Sequence, residues 1–136
     1  HLDGYNFLPR LTGEAERGPR NSFFYWSDDG LLTGIRVGDW KLVYAEQRAQ
    51  GFDVWREQFD ALRIPKIFHL RRDPFERADE NANTYDDWWN RVTLARAAMA
   101  RVELGKFLAS LKVFPPRQRP ATFTIDQMME GLYDRK

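Results

Sequence analysis

The sequence predicts an α+β fold in which a small antiparallel sheet of about four strands packs against a long helix and a C-terminal helix. Segments with strand composition are grouped between residues 23 and 70, whereas helical periodicity dominates after residue 84. Strands followed by helices, rather than strands alternating with helices, favour a sheet covered on one face. A chain of 136 residues has the length of one domain, so we expect residues 1–136 to form a single domain.

Four segments have the composition of strands, namely 23–26, 31–37, 40–44 and 66–70. The turn sequence Asp28-Asp29-Gly30 tolerates positive φ and separates the first two, and Gly38-Asp39 separates the next two. Such tight connections predict an antiparallel meander with one buried face. Residues 45–65 are predicted to form a packed loop that includes a short helix, because apolar side chains recur along it.

Helical signals begin with a single turn predicted between Tyr5 and Leu11 and ended by Gly13. A long helical segment begins near Thr84, which forms a capping-box-like pattern with Asp87. Its apolar stripe changes direction after residue 100, so the sequence leaves open one helix or two. The residues before that change are Tyr85, Trp88, Trp89, Val92 and Met99. Pro115-Pro116 ends the segment, and a C-terminal helix is predicted within residues 122–133.

Charge and composition exclude several classes of function. Lys and Arg number 21 and Asp and Glu number 20, so there is no basic surplus of the kind that nucleic-acid binding requires. The chain has no Cys, which removes disulfides, thiolate nucleophiles and Cys-based zinc sites. No apolar run approaches the ~18 residues of a membrane span. The first residues resemble the middle of a loop and lack a starting Met, so we expect a fragment of a longer protein.

Residues that commonly carry catalysis are few and poorly placed for it. His1 and His69 show no metal-ligand spacing, and the position of His69 inside a predicted strand favours a structural role. No serine lies in a nucleophile-elbow motif. Most of the five tryptophans follow strand or helix periodicity, and Trp55 in the long loop is the best candidate for an exposed one. The residues alone therefore predict no catalytic residue and no metal ligand in this chain.

Three motifs nevertheless resemble segments of the sulfatase family, in the order in which that family carries them. The stretch from Asp3-Gly4 to Leu8-Pro9-Arg10-Leu11-Thr12-Gly13 resembles the segment that opens the sulfatase carboxy-terminal subdomain. Residues 35–43 (IRVGDWKLV) are similar to a sulfatase hairpin, and residues 67–76 (IFHLRRDPFE) are similar to a strand and turn of the same subdomain. Residues 84–136 resemble a subset of arylsulfatases, in which a helical segment is followed by a P-P-R-Q-x-P run.

The resemblance implies a parent enzyme of the alkaline-phosphatase superfamily that hydrolyses sulfate esters. It implies a bound calcium and a formylglycine made from a C/S-x-P-x-R motif, and it places both in an amino-terminal catalytic domain of the same polypeptide. This chain has no such motif, so no catalytic residue is carried over. His1 and Tyr5 are candidates for the rim of the substrate cleft, because they lie nearest the junction with that domain. Export to the periplasm or outside the cell is implied by the resemblance alone.

Two other functions remain open from the sequence. The chain can be a stand-alone module that binds carbohydrate or protein through exposed aromatic side chains, or a subdomain of a phosphonate or phosphodiester hydrolase. An isolated subdomain is also expected to expose apolar surface that its missing domain would cover, and it can dimerise through that surface.

Overall fold

The computed structural model describes residues 4–115 and contains a four-stranded antiparallel sheet with a long helix across one face. This confirms the predicted α+β class. The strands, in sheet order, are β1 (Ser22–Trp26), β2 (Leu32–Val37), β3 (Trp40–Glu46) and β4 (Asp60–His69). The helices are α1 (Leu8–Leu11), α2 (Ala78–Asn81) and α3 (Tyr85–Val113), and a 3-10 helix covers Gly51–Trp55.

The meander follows from the turns that the sequence supplies. Gly38 has φ +59° in the turn between β2 and β3, and Gly30 has φ +76° in the turn between β1 and β2. Both values lie in the left-handed region, where a side chain is disfavoured. Gly34 in β2 serves a different purpose, since a Cβ there would lie 2.8 Å from the carbonyl oxygen of Leu42 on the neighbouring strand.

The core lies between the sheet and α3. Ile35, Leu42 and Ile67 occupy adjacent positions on β2, β3 and β4 and are almost completely inaccessible. Partly buried aromatic and apolar side chains of α3 pack against them, namely Trp88, Trp89 and Val92, and Ala100 completes the cluster. Each buried side chain of this size contributes about 1.5–3 kcal/mol to folding.

Helix α3 is a single continuous helix, which settles the alternative that the sequence left open. The predicted capping box is wrong, because Thr84 precedes the helix but its side chain makes no capping hydrogen bond. Met99 was predicted to face the sheet and instead is exposed. The packed face continues through Arg96, whose guanidinium carbon lies 3.9 Å from the centre of the Trp40 ring. The long aliphatic stem and planar head of Arg allow it to occupy a position that an apolar pattern does not predict.

Strand β4 is longer than the predicted segment 66–70 and begins at Asp60. Its pairing with β3 shifts register between Val43 and Ala45 and then resumes with Ala45 opposite Ala61. The loop after β3 is therefore shorter than expected, although the short helix predicted within it is present as the 3-10 helix Gly51–Trp55. The predicted C-terminal helix at 122–133 lies outside the described residues. In the part of the chain that the structure describes, no helix is long and apolar enough to cross a membrane.

Candidate functional site

A groove of about 1030 Å³ lies on the sheet face opposite α3. It is built where the loop before β1, the end of β2, the β2–β3 turn and the end of β4 meet. Arg36 reaches it because Arg36 alternates with the buried residues Ile35 and Val37 on β2. The backbone N–H of Gly38 donates to the carbonyl of Asn21 at 2.8 Å, which fixes the turn against the start of β1.

Positive charge dominates the lining of this surface, which we call the arginine groove. Its charged residues are Arg17, Arg20, Arg36, Arg71 and Asp39, so four guanidinium groups accompany one carboxylate. The Nε of Arg36 donates to the Gly38 carbonyl at 2.8 Å, and the Nε of Arg71 lies 3.1 Å from each oxygen of Asp39. Arg17 makes no ion pair with any other residue in 4–115.

Three aromatic rings line the arginine groove. Phe23 and Tyr25 lie in edge-to-face contact at 4.9 Å between ring centres, and Phe7 is the third. The guanidinium carbon of Arg20 lies 5.8 Å from the centre of the Phe23 ring. The groove thus presents both cationic groups and apolar ring faces to a ligand.

Tyr5, one of the two predicted rim residues, is exposed and lies beside the arginine groove rather than in it. The guanidinium carbon of Arg20 lies 5.1 Å from the Tyr5 ring centre. Tyr5 lines a second groove of about 710 Å³, which Trp26 and Phe107 also line. His1 lies outside the described residues, so its rim assignment stays a prediction.

Lysines on the same sheet face are paired with carboxylates, in contrast to the arginines. The Nζ of Lys41 lies 2.6 and 2.8 Å from the two carboxylate oxygens of Glu76. The Nζ of Lys66 contacts Glu46 and Asp79 at 2.6 and 2.5 Å. Burial lowers the pKa of Lys66, but hydrogen bonds and charge attraction from Asp79 and Glu46 together raise it above its usual value. These lysines fix the 73–80 segment to the sheet.

A smaller aromatic pocket of about 350 Å³ lies at the start of α3, lined by Trp40, Trp88, Tyr85 and His69. Two of the polar side chains that line it, Asp73 and Tyr85, already serve the fold. The carboxylate of Asp73 accepts the backbone N–H groups of Arg77 and Ala78, and the hydroxyl of Tyr85 bonds the backbone of Ile67.

His69 itself packs edge-on against Trp40, with 4.7 Å between the ring centres. Its Nδ1 is buried and has no hydrogen-bond partner among the described residues. No acid or hydroxyl nucleophile forms a hydrogen bond to it within 4–115, so the predicted structural role fits its position better than a catalytic one.

Trp55, predicted to be the best exposed tryptophan, is 76% exposed on the 3-10 helix. Phe52 on the same short helix is also exposed and is covered in part by Arg56, whose guanidinium carbon lies 5.0 Å from the ring centre. These two rings form a small exposed aromatic patch, and neither of them lines the arginine groove.

Within residues 4–115, no three His, Cys, Asp or Glu side chains come close enough together to hold a metal ion. No protein-family model matches the chain, and no curated protein matches its sequence. The resemblance to sulfatases rests on the quoted motifs alone.

The sequence did not predict the arginine groove. Its arginines come from a loop, from β2 and from the residue pair after β4, and no spacing connects them along the chain. Only the position of Arg36 had a signal in the sequence, because Arg36 alternates with the apolar residues Ile35 and Val37 on β2. The others become neighbours only when the strands pair.

Proposed function

We propose that this chain is the carboxy-terminal subdomain of a sulfatase-type hydrolase, that it completes the fold of that enzyme, and that it is not catalytic by itself. The observation that carries the proposal is that the second and third sulfatase-like motifs contact each other. Lys41 of the second motif pairs with Glu76 of the third. The backbone carbonyl of Asp39 in the second motif accepts the backbone N–H of Leu70 at 2.8 Å, and the Asp39 carboxylate pairs with Arg71.

Those contacts give the motif residues a structural purpose. Glu76 adopts φ +54°, a left-handed conformation that costs free energy in a residue other than glycine, and its pairing with Lys41 helps to offset that cost. Asp73 accepts two backbone N–H groups at the turn before α2. The resemblance thus falls on residues that hold the subdomain together, as expected for a part of an enzyme that lacks the nucleophile.

The first motif supplies a candidate contact surface for the amino-terminal catalytic domain, which is the partner that the proposal requires. Pro9 lies in the first turn of α1, and Thr12 ends the helix with its hydroxyl donating to the Leu8 carbonyl at 3.1 Å. Leu8 and Leu11 of α1 are 61% and 80% exposed. Exposed apolar side chains on a short helix near the chain junction are suited to be covered by a neighbouring domain.

The first test is to sequence the coding DNA upstream of the His1 codon. An open frame that contains C/S-x-P-x-R and metal-binding acidic residues would support the proposal, and a start codon directly before His1 would contradict it. Purified chain 1–136 is expected to hydrolyse no aryl sulfate. Turnover by the isolated chain that survives repeated purification would refute its assignment as non-catalytic.

The contact surface can be tested in the isolated chain and in the complete protein. Replacing Leu8 and Leu11 by Ser is expected to leave the stability of the isolated chain nearly unchanged, because both side chains are exposed, and to destabilise the complete enzyme. Leu94→Ser is the matched control, since Leu94 is 86% exposed on α3 and far from α1 in sequence. Equal effects of both changes on the complete enzyme would count against this surface.

A stand-alone binding module is the second candidate, and the Phe52 and Trp55 patch favours it. Exposed aromatic rings can stack on sugar rings or fill pockets of a protein partner. This candidate predicts that oligosaccharide binding by the isolated chain is abolished by Trp55→Ala. A concentration-dependent mass without sugar binding, abolished by the Leu8 and Leu11 changes, would instead support an exposed domain interface.

A further inference from the structure

The two edge strands of the sheet differ in how their outer sides are covered. On β4 the hydroxyl of Tyr85 bonds both the N–H and the carbonyl of Ile67. The Nε1 of Trp89 donates to the carbonyl of Pro65 at 2.8 Å, and Pro65 has no N–H of its own. On β1, by contrast, no strand among residues 4–115 pairs on the side away from β2. An uncovered edge of this kind is a template for pairing with a further strand.

The register of β1 determines which of its backbone groups point outward. The N–H of Gly38 donates to the carbonyl of Asn21 at 2.8 Å, so the hydrogen-bonding groups of Asn21 point toward the β2 side. Directions alternate along an antiparallel strand, so the groups of Phe23 also point toward β2, whereas those of Phe24 point away from it. The N–H and the carbonyl of Phe24 are therefore groups at which a further strand can pair.

A groove of about 710 Å³ lies between this edge and the C-terminal half of α3, and we call it the edge groove. Phe24 and Trp26 of β1 and Phe107 of α3 line it. The ring centre of Phe107 lies 4.7 Å from that of Phe24 and 5.5 Å from that of Trp26. Trp26 is nevertheless 45% exposed. The edge groove can therefore take further apolar side chains from a strand placed beside β1.

Helix α3 delivers the rest of the chain to the same edge. Glu103 lies beside the start of β1, where it accepts a hydrogen bond from the Ser22 hydroxyl at 3.1 Å. Phe107, one helical turn later, lies beside rings nearer the end of β1. Helix α3 therefore passes β1 in the same direction as β1 itself and continues to Val113. A chain that turns back from there along the edge runs antiparallel to β1.

The chain after α3 is long enough for this return. Helical rise over eight residues places Pro115 about 12 Å beyond Phe107 along the helix axis. Residues 116–120 can span about 17 Å when extended, so they can carry residue 121 back to the edge groove.

Residues 121–125 have the composition of a strand. Their sequence is ATFTI, and Thr, Phe and Ile all have high strand propensity. Phe123 and Ile125 alternate with threonines, so they share one face of an extended strand. Pro120 precedes this run and Asp126 follows it, and both residue types are disfavoured inside strands.

We infer that residues 121–125 pair with β1 as a fifth, antiparallel strand, and that Phe123 and Ile125 fill the edge groove. The outward N–H and carbonyl of Phe24 then gain backbone partners, and the exposed part of the Trp26 ring is covered. A helix within residues 122–133 is in that case confined to the residues after Ile125. The inference goes beyond the proposed function and does not rest on it, because it depends only on the edge strand and the last residues of this chain.

Disulfide trapping tests the pairing, and it is specific because the chain has no Cys. Two double variants, Phe23→Cys with Thr122→Cys and Phe23→Cys with Thr124→Cys, place both thiols on the side of the sheet away from α3 in neighbouring registers. Under mild oxidation at low protein concentration, at least one of them is expected to form a disulfide within a single chain, roughly tenfold faster than the control.

The matched control for trapping is Leu94→Cys with Thr124→Cys. Leu94 is 86% exposed on α3 and does not line the edge groove. Disulfide-linked dimers in place of the internal bond would assign the edge to a second copy of the chain and would overturn the inference. Failure of both test variants to trap faster than the control would also overturn it.

Amide hydrogen exchange of the full chain, measured by NMR, is an independent test. The N–H of Phe24 is expected to exchange at least roughly tenfold more slowly than an exposed amide, and Phe123→Pro is expected to abolish that protection. Gln118→Pro is the matched control, because it adds a proline to the same tail outside the pairing segment. The N–H of Phe23, which pairs with β2, reports whether the sheet stays folded in each variant. Fast exchange of Phe24 in the unaltered chain, or equal exchange in the two proline variants, would overturn the inference.

Discussion

The hydroxyl of Tyr85 is expected to contribute measurably to stability through its bonds to the free edge of β4. It accepts the backbone N–H of Ile67 at 2.9 Å and donates to the carbonyl of the same residue at 3.0 Å. Strand β4 is at the edge of the sheet, so these two backbone groups have no neighbouring strand to pair with. The hydroxyl of Tyr85 therefore provides hydrogen-bond partners for the N–H and the carbonyl of Ile67, which is a core residue on the edge strand.

Tyr85→Phe removes both hydrogen bonds and keeps the ring. Each bond contributes about 0.5–1.5 kcal/mol net, so we expect a loss of about 2 kcal/mol in the free energy of unfolding. With a urea dependence of about 2 kcal/mol per molar, the midpoint of unfolding falls by about 1 M. Tryptophan fluorescence and far-ultraviolet circular dichroism are suitable probes, because Trp88 lies one helical turn away on α3.

Tyr44→Phe is the matched control for this prediction. Tyr44 is also half-buried, and burial raises the pKa of its phenol above the usual value, but its hydroxyl makes no hydrogen bond within residues 4–115. We expect its loss to change stability by less than about 0.5 kcal/mol. A Tyr85→Phe midpoint that coincides with the Tyr44→Phe midpoint, at an unchanged urea slope, would refute the reasoning.

Three further changes test other contacts. Gly34→Ala is expected to lower stability by about 1–3 kcal/mol, measured by urea unfolding, because the new Cβ would lie 2.8 Å from a backbone oxygen of Leu42. Lys41→Met and Glu76→Gln, combined in a double-mutant cycle, should give a coupling of about 0.5–1 kcal/mol, and a coupling near zero would contradict a stabilising pair. The pKa of Glu103 is lowered chiefly by the hydrogen bond from Lys106. Burial raises this pKa, and the hydrogen bond from Ser22 lowers it further. Because the pKa of Glu103 is lower in the folded state, its contribution to stability is present above the usual value of 4.5 and is lost as the pH falls below it. Glu103→Gln is therefore expected to reduce the fall in melting temperature between about pH 5 and pH 3, measured by thermal unfolding.

The sheet was predictable because local chemistry specified it. Gly30 and Gly38 mark the turns at which positive φ is required, and the segments between them have strand composition. The start of β4 was missed because residues 60–65 contain Pro65 and several charged or exposed positions. These residues become strand by pairing with the end of β3 beyond the register shift.

The candidate site was less predictable than the fold. The sequence correctly predicted that Trp55 is exposed, whereas the assignment of Tyr5 to the rim of a substrate cleft stays a prediction. It did not indicate that Arg96 packs over Trp40, or that the hydroxyl of Ser22 donates to Glu103 at 3.1 Å. Polar residues on a packed helix face carry no periodic signal, because the same pattern also describes a solvated face.

The sequence by itself determined the α+β class, the order of the strands and the position at which the long helix begins. Turn chemistry and hydrophobic periodicity act over a few residues, so they can be read locally. Only the tertiary structure decided that Arg17, Arg36 and Arg71 share one groove and that Tyr85 binds the edge of β4. Those neighbours are set by strand register and by the docking of α3, which depend on the sum of many contacts between residues far apart in the chain.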